Sequence, residues 1–412
     1  MNENLSRVIK VRAYSGYQIS LHAEIVKYLD VDENDVILYR FVHAKDVFSV
    51  GKVIKIKRRR NNEVSYKLSI RKEALQKAKL ELPQTFEIEI MDIKKVGYKP
   101  SPVEDCKNCL DIVSLIKDDN RFTCFEKPDD TLLIYYMNKK STSVITLPRF
   151  IPLNEFTLWS IGFYIAEGLK VNFHRVSASN DDSLLVSRFV QYLNLWKIIE
   201  SKISVRIRVK PKNYHTSLNN FWAEKLNLPI KNVIVRKHYN KPTNSERGNA
   251  EVTVYNSIFG IIHSKFLNFV INNAENLTKK EALSIIKGLE EGDGHAILHK
   301  GSIEIGITCE KRFTGFVRNL YSKIYSEPII ESHSTSKKVD KILYRGIKNG
   351  LKFLEDGHFI NSFHRRKNLI SLLSKSLKNK RTITRQGIDR QTLERFMLLK
   401  EEFNLTGGTT ND

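Results

Sequence analysis

Two acidic residues, Glu167 and Asp293, occupy matching positions in two distant segments and are the leading candidates for chemistry. Each ends an apolar segment of helical character, residues 158–166 and 284–292, and each precedes a glycine. A carboxylate at the C-terminal end of a helix is unfavourable, because the helix macrodipole already places negative charge there. If the two helices pack side by side, the carboxylates repel each other unless a divalent cation neutralises them. Carboxylate oxygens that leave coordination positions for water and phosphate suit Mg²⁺.

The two segments also carry small residues four positions apart. These pairs are Gly162 with Ala166 and Gly288 with Gly292. Residues at this spacing lie on one face of a helix, so each helix presents a face almost without side chains. We expect the two faces to touch backbone to backbone. One such segment is usually only a helix that ends at glycine, whereas two of them favour a functional pair.

A basic strand is predicted downstream of the first segment. Residues 202–212 alternate polar and apolar side chains, which in a strand gives one cationic face and one apolar face. The polar members are Lys202, Ser204, Arg206, Arg208, Lys210 and Lys212. Lys170 and Asn172 alternate with apolar residues in the same way directly after Glu167. Such strands can lie in the major groove of DNA and contact base edges, although lysine also protects ordinary edge strands from aggregation.

The paired segments resemble the motif of the LAGLIDADG homing endonucleases, in the single-chain form that carries two motifs. The matching residues are Gly162, Ala166, Glu167, Gly168, Gly288, Gly292, Asp293 and Gly294. The resemblance covers about residues 147–378 and implies an α+β fold with a pseudo-twofold αββαββα repeat, here residues 147–282 and 283–378. The chain departs from the motif at Ile165, where the name-giving sequence has Asp, and at Lys287, where it has Ala. Neither departure touches the acid–glycine pairs.

The resemblance also implies the composition of the site. The motif helices would form the interface between the halves, and Glu167 and Asp293 would bind Mg²⁺, with Mn²⁺ as a substitute. The backbone carbonyls of Ala166 and Gly292 would complete the ligand set. Family members place basic residues near the scissile phosphates. The positions that match this role are Lys279, Lys280, Arg365, Arg366 and Lys367.

The first 95 residues contain an internal duplication. Residues 17–24 recur as residues 66–73, with Tyr, Ser and Glu at equivalent positions and the apolar alternation retained. Each copy predicts a strand, a short helix and a closing strand. The pattern resembles the swapped-hairpin module of AbrB-type regulators, which implies a small double-hairpin β-barrel that binds DNA. Arg58, Arg59 and Arg60 in a basic turn are the contact candidates, and the alternative is a barrel that only packs.

The remaining segments carry weaker signals. Residues 96–146 are predicted to be a linker region, because two closely spaced prolines break regular structure. Cys106 and Cys109 have the spacing of metal ligands, but a structural zinc site needs four ligands, so ordinary thiols are expected. Residues 379–412 are predicted to form a basic helical tail.

The composition favours a nucleic-acid partner. The 412 residues include 68 Lys and Arg against 46 Asp and Glu, a formal charge of +22, and the sequence pI is near 9.6. Positive charge favours binding to phosphates through counterion release, although a generally basic protein would share this property. No run of ~18 apolar residues suggests a membrane span. Four cysteines fit a reducing compartment, and we expect a cytoplasmic, nucleoid-associated protein.

Three functions are open at this point. The first is a sequence-specific endonuclease that cuts double-stranded DNA by divalent-metal-assisted hydrolysis, with a monomeric nuclease domain acting on a long pseudo-palindromic or asymmetric site. The second is a DNA-binding transcriptional regulator that retains the scaffold without cleavage. The third is an RNA intron maturase. The chain begins with Met1 and lacks the terminal residues of an intein, so a free-standing protein is expected.

Overall fold

The structure, a computed structural model, describes most of the chain. The described residues are 7–14, 17–33, 35–57, 64–104, 106–138, 141–169, 174–239, 245–332, 338–378, 383–384 and 387–407. Contacts divide the chain into two compact units. The first comprises Met1–Cys106 and Leu110–Phe150, and the second comprises Lys107–Cys109 and Ile151–Asp412. Among the helices described here, none is both long enough and apolar enough to cross a membrane.

The first unit begins with a closed six-stranded barrel in the strand order β1-β2-β5-β4-β3-β6. Its elements are β1 (Arg7–Tyr14), β2 (Gln18–Leu21), α1 (Ala23–Leu29), β3 (Asp35–Phe41), β4 (Ala44–Lys57), β5 (Val64–Ser69), α2 (Lys72–Lys77) and β6 (Gln84–Lys95). The two duplicated segments pair with each other antiparallel, with Ile19 opposite Leu68. Both side chains are fully buried, so the alternation that marked the duplication also builds the barrel core. The predicted double-hairpin barrel is therefore confirmed as a fold.

The segment after the barrel differs from the predicted linker, because it contains a sheet of its own. The elements are β7 (Cys109–Asp111), α3 (Ile112–Ile116), β8 (Phe122–Glu126), β9 (Thr131–Asn138), β10 (Ser141–Pro148) and β11 (Phe150–Pro152), and β8, β9 and β10 form a three-stranded antiparallel sheet. Phe125 and Tyr135 of this sheet pack with Val36 and Val50 of the barrel. The two prolines break only the first few residues, and apolar strands follow them.

The cysteines also differ from expectation. Cys106 and Cys109 are disulfide-bonded rather than free thiols. Two turn residues separate them, and Asn108 has a positive φ of 58°. Cys124 is a free, buried thiol in β8, and burial raises its pKa to about 12. A buried thiol of this kind is inert, so it serves the core.

The second unit contains the two predicted repeats. The first repeat comprises α4 (Glu155–Glu167), β12 (Arg175–Asn180), α5 (Ser183–Leu195), β13 (Ile203–Val209), α6 (Ser217–Leu226), β14 (Val233–Lys237), β15 (Asn249–Tyr255) and α7 (Ser257–Asn272). Its sheet has the order β12-β15-β13-β14. The helix α6 and the strand β14 are inserted between the paired strands β13 and β15.

The second repeat follows the αββαββα order without insertion. It comprises α8 (Lys279–Asp293), β16 (Gly294–His299), β17 (Ser302–Glu310), α9 (Thr314–Ile324), β18 (Ile329–Ser332), β19 (Val339–Arg345) and α10 (Ile347–Glu355). In its sheet order, β16-β17-β19-β18, the last three strands correspond to β12-β15-β13 of the first sheet, in which the inserted β14 adds an edge beyond β13. The predicted pseudo-twofold α+β fold is confirmed. Two helices extend beyond the repeat, α11 (Phe363–Leu377) and α12 (Arg390–Gly407).

Candidate active site and nucleic-acid surfaces

The helices α4 and α8 touch along their glycine faces. A Cβ atom added to Gly162 would lie 2.0 Å from the carbonyl oxygen of Ile285, and one added to Gly288 would lie 1.9 Å from that of Trp159. Real Cβ atoms do not approach backbone so closely, so any side chain here would push the helices apart. Local sequence sets the start of α8, because Thr278 and Glu281 form a reciprocal capping box.

The two acids lie at the same end of this helix pair. Glu167 ends α4 and Asp293 ends α8. A Cβ atom added to Gly292 would lie 3.0 Å from Cγ of Glu167, so the last turn of α8 lies directly against the Glu167 side chain. Burial and the neighbouring Asp293 carboxylate raise the pKa of Glu167 to about 7. Burial and a neighbouring like charge therefore both disfavour the ionised form of Glu167 at this end of the helix pair.

Polar residues at the end of β12 complete the surroundings of Glu167. Asn180 donates a hydrogen bond from Nδ2 to Oε1 of Glu167 at 2.7 Å, which opposes the rise in its pKa. Asp181 adds a negative charge nearby, and Asp182 caps the N-terminus of α5 by accepting from the Leu184 amide. Burial raises the pKa of Asp182. Sequence analysis missed these residues, although an Asn-Asp-Asp run directly after a strand was an available signal.

Arg365 is the predicted basic residue that the fold brings to the acids. From the first turn of α11, its guanidinium donates to the carbonyl oxygens of Glu291 and Gly292, the last carbonyls before Asp293. Its positive charge opposes the rise in the pKa of Glu167. A guanidinium at a helix C-terminus also offsets the negative end of the macrodipole.

The other predicted basic residues lie elsewhere. Lys279 and Lys280 occupy the first turn of α8, about 20 Å along the helix from Asp293 at 1.5 Å per residue. Lys280 forms an ion pair with Glu155 at 2.6 Å, at the opposite end of the helix pair. A role beside the acids does not fit this position, because no side chain spans that distance. Lys367 lies on the exposed side of α11, with Nζ 5.8 Å from the centre of the Phe363 ring.

Two further acids in α8 have structural partners. Glu290 accepts hydrogen bonds from the Tyr321 hydroxyl at 2.5 Å and from His358, and it is fully buried. Glu291 accepts from Nε1 of Trp159 at 2.7 Å and from the backbone amide of Asn361 at 2.8 Å. Burial raises the pKa of Glu291, and the hydrogen bonds from Asn361 oppose the rise. These contacts tie the end of α8 to α4 and to the segment after α10.

A divalent cation fits the two carboxylates but not every predicted ligand. Mutual repulsion and the raised pKa of Glu167 are relieved by a cation, and carboxylate oxygens suit Mg²⁺. The Gly292 carbonyl, by contrast, already accepts from the Arg365 guanidinium, so a cation there would meet positive charge. In the part of the chain that the structure describes, no group of three or more His, Cys, Asp or Glu residues could hold a metal.

The sheet of the first repeat presents a cationic face. The predicted alternation is confirmed along β13, where Val205, Ile207 and Val209 are fully buried and the residues between them are not. The strand register places four arginines on the outer face with one acid, and these residues are Arg175, Arg206, Arg208, Arg236 and Glu251. Arg208 forms an ion pair with Glu251. Lys202 and Lys210 flank the strand, whereas Lys170 and Asn172 lie outside the described residues.

The equivalent face of the second repeat is not cationic. The register places three acids with two basic residues there, and these residues are Glu304, Glu310, Glu331, Lys341 and Arg345. Arg345 bridges Glu304 at 3.1 Å and Glu331 at 2.5 Å. The two halves therefore share a topology but differ in surface charge.

The barrel of the first unit also has one cationic side. The strands β1, β2 and β5, together with residues 49–57 of β4, contain no acidic residue. Their basic residues are Arg7, Lys10, Arg12, Lys52, Lys55, Lys57 and Lys67. The register carries one outward row from Arg12 through Ser20 to Lys67. The predicted contacts Arg58, Arg59 and Arg60 lie outside the described residues.

Comparison with known proteins returned structural neighbours only. No protein-family model and no curated protein matches the sequence. Mesophilic variants of the homing endonuclease I-DmoI align over 50% of this chain and 95% of their own, with 13% identity and a TM-score of 0.31. I-DmoI in complex with DNA and Mn aligns over 50% and 96%, with 14% identity and a TM-score of 0.28. The N-terminal LAGLIDADG domain of DUF199/WhiA aligns over 49% and 81%, with 19% identity and a TM-score of 0.30.

Proposed function

We propose that the second unit is a sequence-specific endonuclease of the LAGLIDADG type, which cuts double-stranded DNA with the help of a divalent cation. This proposal is based on the pair of acids, Glu167 and Asp293. Two helices in backbone contact end together in Glu167 and Asp293, and the pKa of Glu167 is raised to about 7 by burial and by its neighbour. A fold that only needed a stable core would gain nothing from holding two carboxylates in this way.

The side chains have distinct tasks in this proposal. Glu167 and Asp293 hold Mg²⁺, or Mn²⁺ in its place, which supplies charge neutralisation and a more acidic water at the scissile phosphate. Asn180 fixes the orientation of the Glu167 carboxylate through the hydrogen bond to Oε1. The contacts of Glu291 with Trp159 and Asn361 hold the end of α8 against α4. The site is thus preorganised, which reduces the cost of placing the phosphate.

DNA binding is assigned to the cationic surfaces. The outer face of β13 carries Arg206 and Arg208 over a buried apolar face, so these guanidinium groups can reach phosphates or base edges without disturbing the core. The cationic side of the barrel adds phosphate contacts and gives the AbrB-like module its role. The partner is a long double-stranded site, bound by one copy of the nuclease domain in a cytoplasmic, nucleoid-associated protein.

A library experiment tests the proposal. The full chain is incubated with randomised duplex DNA, with Mg²⁺ or with a chelator, and the ends that are produced are sequenced. The proposal predicts that a defined sequence is enriched at cut ends only when Mg²⁺ is present. Ends that are random, or that appear equally with chelator, would argue against a sequence-specific metal-dependent nuclease.

A second function has one observation in its favour. Arg365 donates to the Gly292 carbonyl and opposes the negative charge at Glu167, so an internal cation already serves part of the metal's role. A DNA-binding regulator without cleavage would be consistent with this contact. Recovery of a bound sequence from the same library without any cut ends would favour the regulator.

A further inference from the structure

Arg365 comes from outside the repeat and reaches its centre. It lies in α11, which follows the seventh element of the second repeat, and its side chain is half-buried. Both terminal nitrogens donate to consecutive carbonyl oxygens, those of Glu291 and Gly292. The fork geometry of a guanidinium matches such paired acceptors, whereas an ammonium group could not serve both from one position.

The surroundings of the guanidinium are strongly negative. Its charge acts on Glu167 and on Asp182, both of which have a pKa raised mainly by burial. The carbonyls that it contacts form the negative end of the α8 dipole and immediately precede Asp293. Removing this positive charge would therefore deepen the negative potential in the place where the proposed function puts a divalent cation.

Neighbouring contacts hold α11 in place independently of Arg365. Asn368, one turn further along, donates from Nδ2 to the carbonyl oxygen of Ala296 at 2.7 Å. Asn361, just before the helix, donates to both carboxylate oxygens of Glu291 at 2.9 and 3.0 Å. We therefore expect the helix to stay docked when the side chain at position 365 is changed.

We propose that Arg365 is a resident cation of the acid site: it compensates the acids in the metal-free protein and lowers the affinity of the site for divalent cations. The inference rests on the proposed function, because it assumes that Glu167 and Asp293 bind metal. Arg365 acts here as a positioning residue through the end of α8, and it competes electrostatically with the incoming cation. Metal entry then requires the guanidinium to leave the Gly292 carbonyl or to tolerate a nearby double charge.

The experiment measures metal affinity without DNA and without cleavage. The full-length protein is titrated with Ca²⁺ and with Mg²⁺ at pH 8, and binding is followed by calorimetry and by the shift in thermal unfolding. Arg365→Gln removes the charge and keeps hydrogen-bond donors, whereas Arg365→Lys keeps the charge and loses the fork. Lys375→Gln, an exposed lysine further along α11, is the matched control for loss of one charge.

The inference predicts that Arg365→Gln tightens Ca²⁺ and Mg²⁺ binding by roughly tenfold, the effect of a unit charge about 6 Å from a divalent ion in water. Arg365→Lys and Lys375→Gln should remain within about threefold of the wild type. If Arg365→Gln does not fold, Arg365→Met is used instead, because it also removes the charge and retains the apolar stem. The wild-type protein provides a further check. Ca²⁺ saturation should shift the Nε–H resonance of Arg365.

The outcomes separate this inference from the proposed function. If the wild type binds metal, Glu167→Gln abolishes binding and Arg365→Gln changes nothing, the resident-cation inference is wrong and the metal site stands. If neither the wild type nor Arg365→Gln binds metal, both fail. If only Arg365→Gln binds, the inference holds in its strongest form, because the guanidinium then excludes the metal altogether.

Discussion

The Glu167 carboxylate shows how position in the fold decides the chemistry of a single residue. The sequence motif predicted that Glu167 lies beside Asp293. The pKa of Glu167 also depends on groups that no local sequence pattern connects to it. Asn180 follows in the next strand, and Arg365 lies in a helix beyond both repeats. Sequence analysis found the two acids because glycine neighbours mark them, and it could not find Asn180 because one side-chain hydrogen bond leaves no periodic trace.

The raised pKa of Glu167 predicts a pH dependence of stability. Because the folded-state pKa is about 7 against an ordinary value of 4.5, the native state binds the proton more tightly than the unfolded state. The stabilisation that this proton provides to the folded state is fully present below pH ~4.5 and is lost as the pH rises through ~7. Glu167→Gln should therefore gain about 1–3 kcal/mol relative to wild type between pH 5 and pH 8, measured by urea unfolding in EDTA.

Glu155→Gln is the control for this measurement. Glu155 lies at the other end of α4 and is exposed, and its pKa is lowered by Lys280. It should not reproduce the gain between pH 5 and pH 8. If the free energy of unfolding changes with pH in the same way in wild type and in Glu167→Gln, then Glu167 is neither desolvated nor close to another negative charge.

The helix pair α4–α8 is the element that positions the two acids. Its contact was predicted from four small residues, and the glycine positions show why the spacing was informative. At Gly162 and Gly288 the neighbouring atom is a backbone carbonyl, which cannot rotate away as a side chain can. The insertion of α6 and β14 was not predicted. The repeat pattern alone does not show whether extra elements lie between β13 and β15.

Filling this contact should destabilise the second unit. Gly162→Ala and Gly288→Ala each place a Cβ within about 2 Å of backbone and should cost about 1–3 kcal/mol or more in unfolding free energy, measured by chemical denaturation. Gly315→Ala in α9 is the matched control, because its Cβ would meet no atom within 4 Å. It should be neutral or slightly stabilising. Equal stability of all three variants would show that the helices do not meet at these faces.

The cationic strand β13 predicts a salt-dependent contribution to DNA binding. Arg206→Ala should lower the slope of log affinity against log salt by about one unit if it contacts a phosphate. If it contacts a base edge, it should instead cost about 1–3 kcal/mol on the preferred site only. Arg390→Ala, which removes an exposed charge in α12, is the control. An equally small loss of DNA affinity in Arg206→Ala and Arg390→Ala would mean that DNA does not contact β13.

The whole molecule combines two units with different kinds of positive surface. The barrel was predicted because its duplicated strands alternate cleanly, and Ile19 and Leu68 meet in its core as that alternation requires. The sheet of β8, β9 and β10 was missed, because two prolines near its start suggested a linker. Charge also could not be assigned to a surface from sequence. Acids occur on β3, on β6 and at the start of β4, whereas β1, β2, β5 and residues 49–57 of β4 carry only basic charges, and this grouping follows from the barrel order.

The cationic side of the barrel should contribute to DNA binding in the full chain. Replacing Lys10, Arg12 and Lys67 by Ala should reduce affinity and lower the salt slope by roughly two to three units, because phosphate contacts release counterions. Replacing Lys45, Lys72 and Lys77, which are exposed elsewhere on the same unit, removes equal charge as a control. If both triple variants lose the same small affinity, the barrel has a packing role or another partner.

Glu167 and Asp293 are proposed to cut DNA together, and cleavage of the selected site by variants of the two acids is the decisive measurement. With Mg²⁺, the wild type should cut both strands. Glu167→Gln with Asp293→Asn should cut neither and should bind the same site within about tenfold, or ~1.4 kcal/mol. Double-strand cleavage by the double variant would contradict the assignment of these acids, and a wild type that binds its site but never cuts it would contradict the nuclease itself.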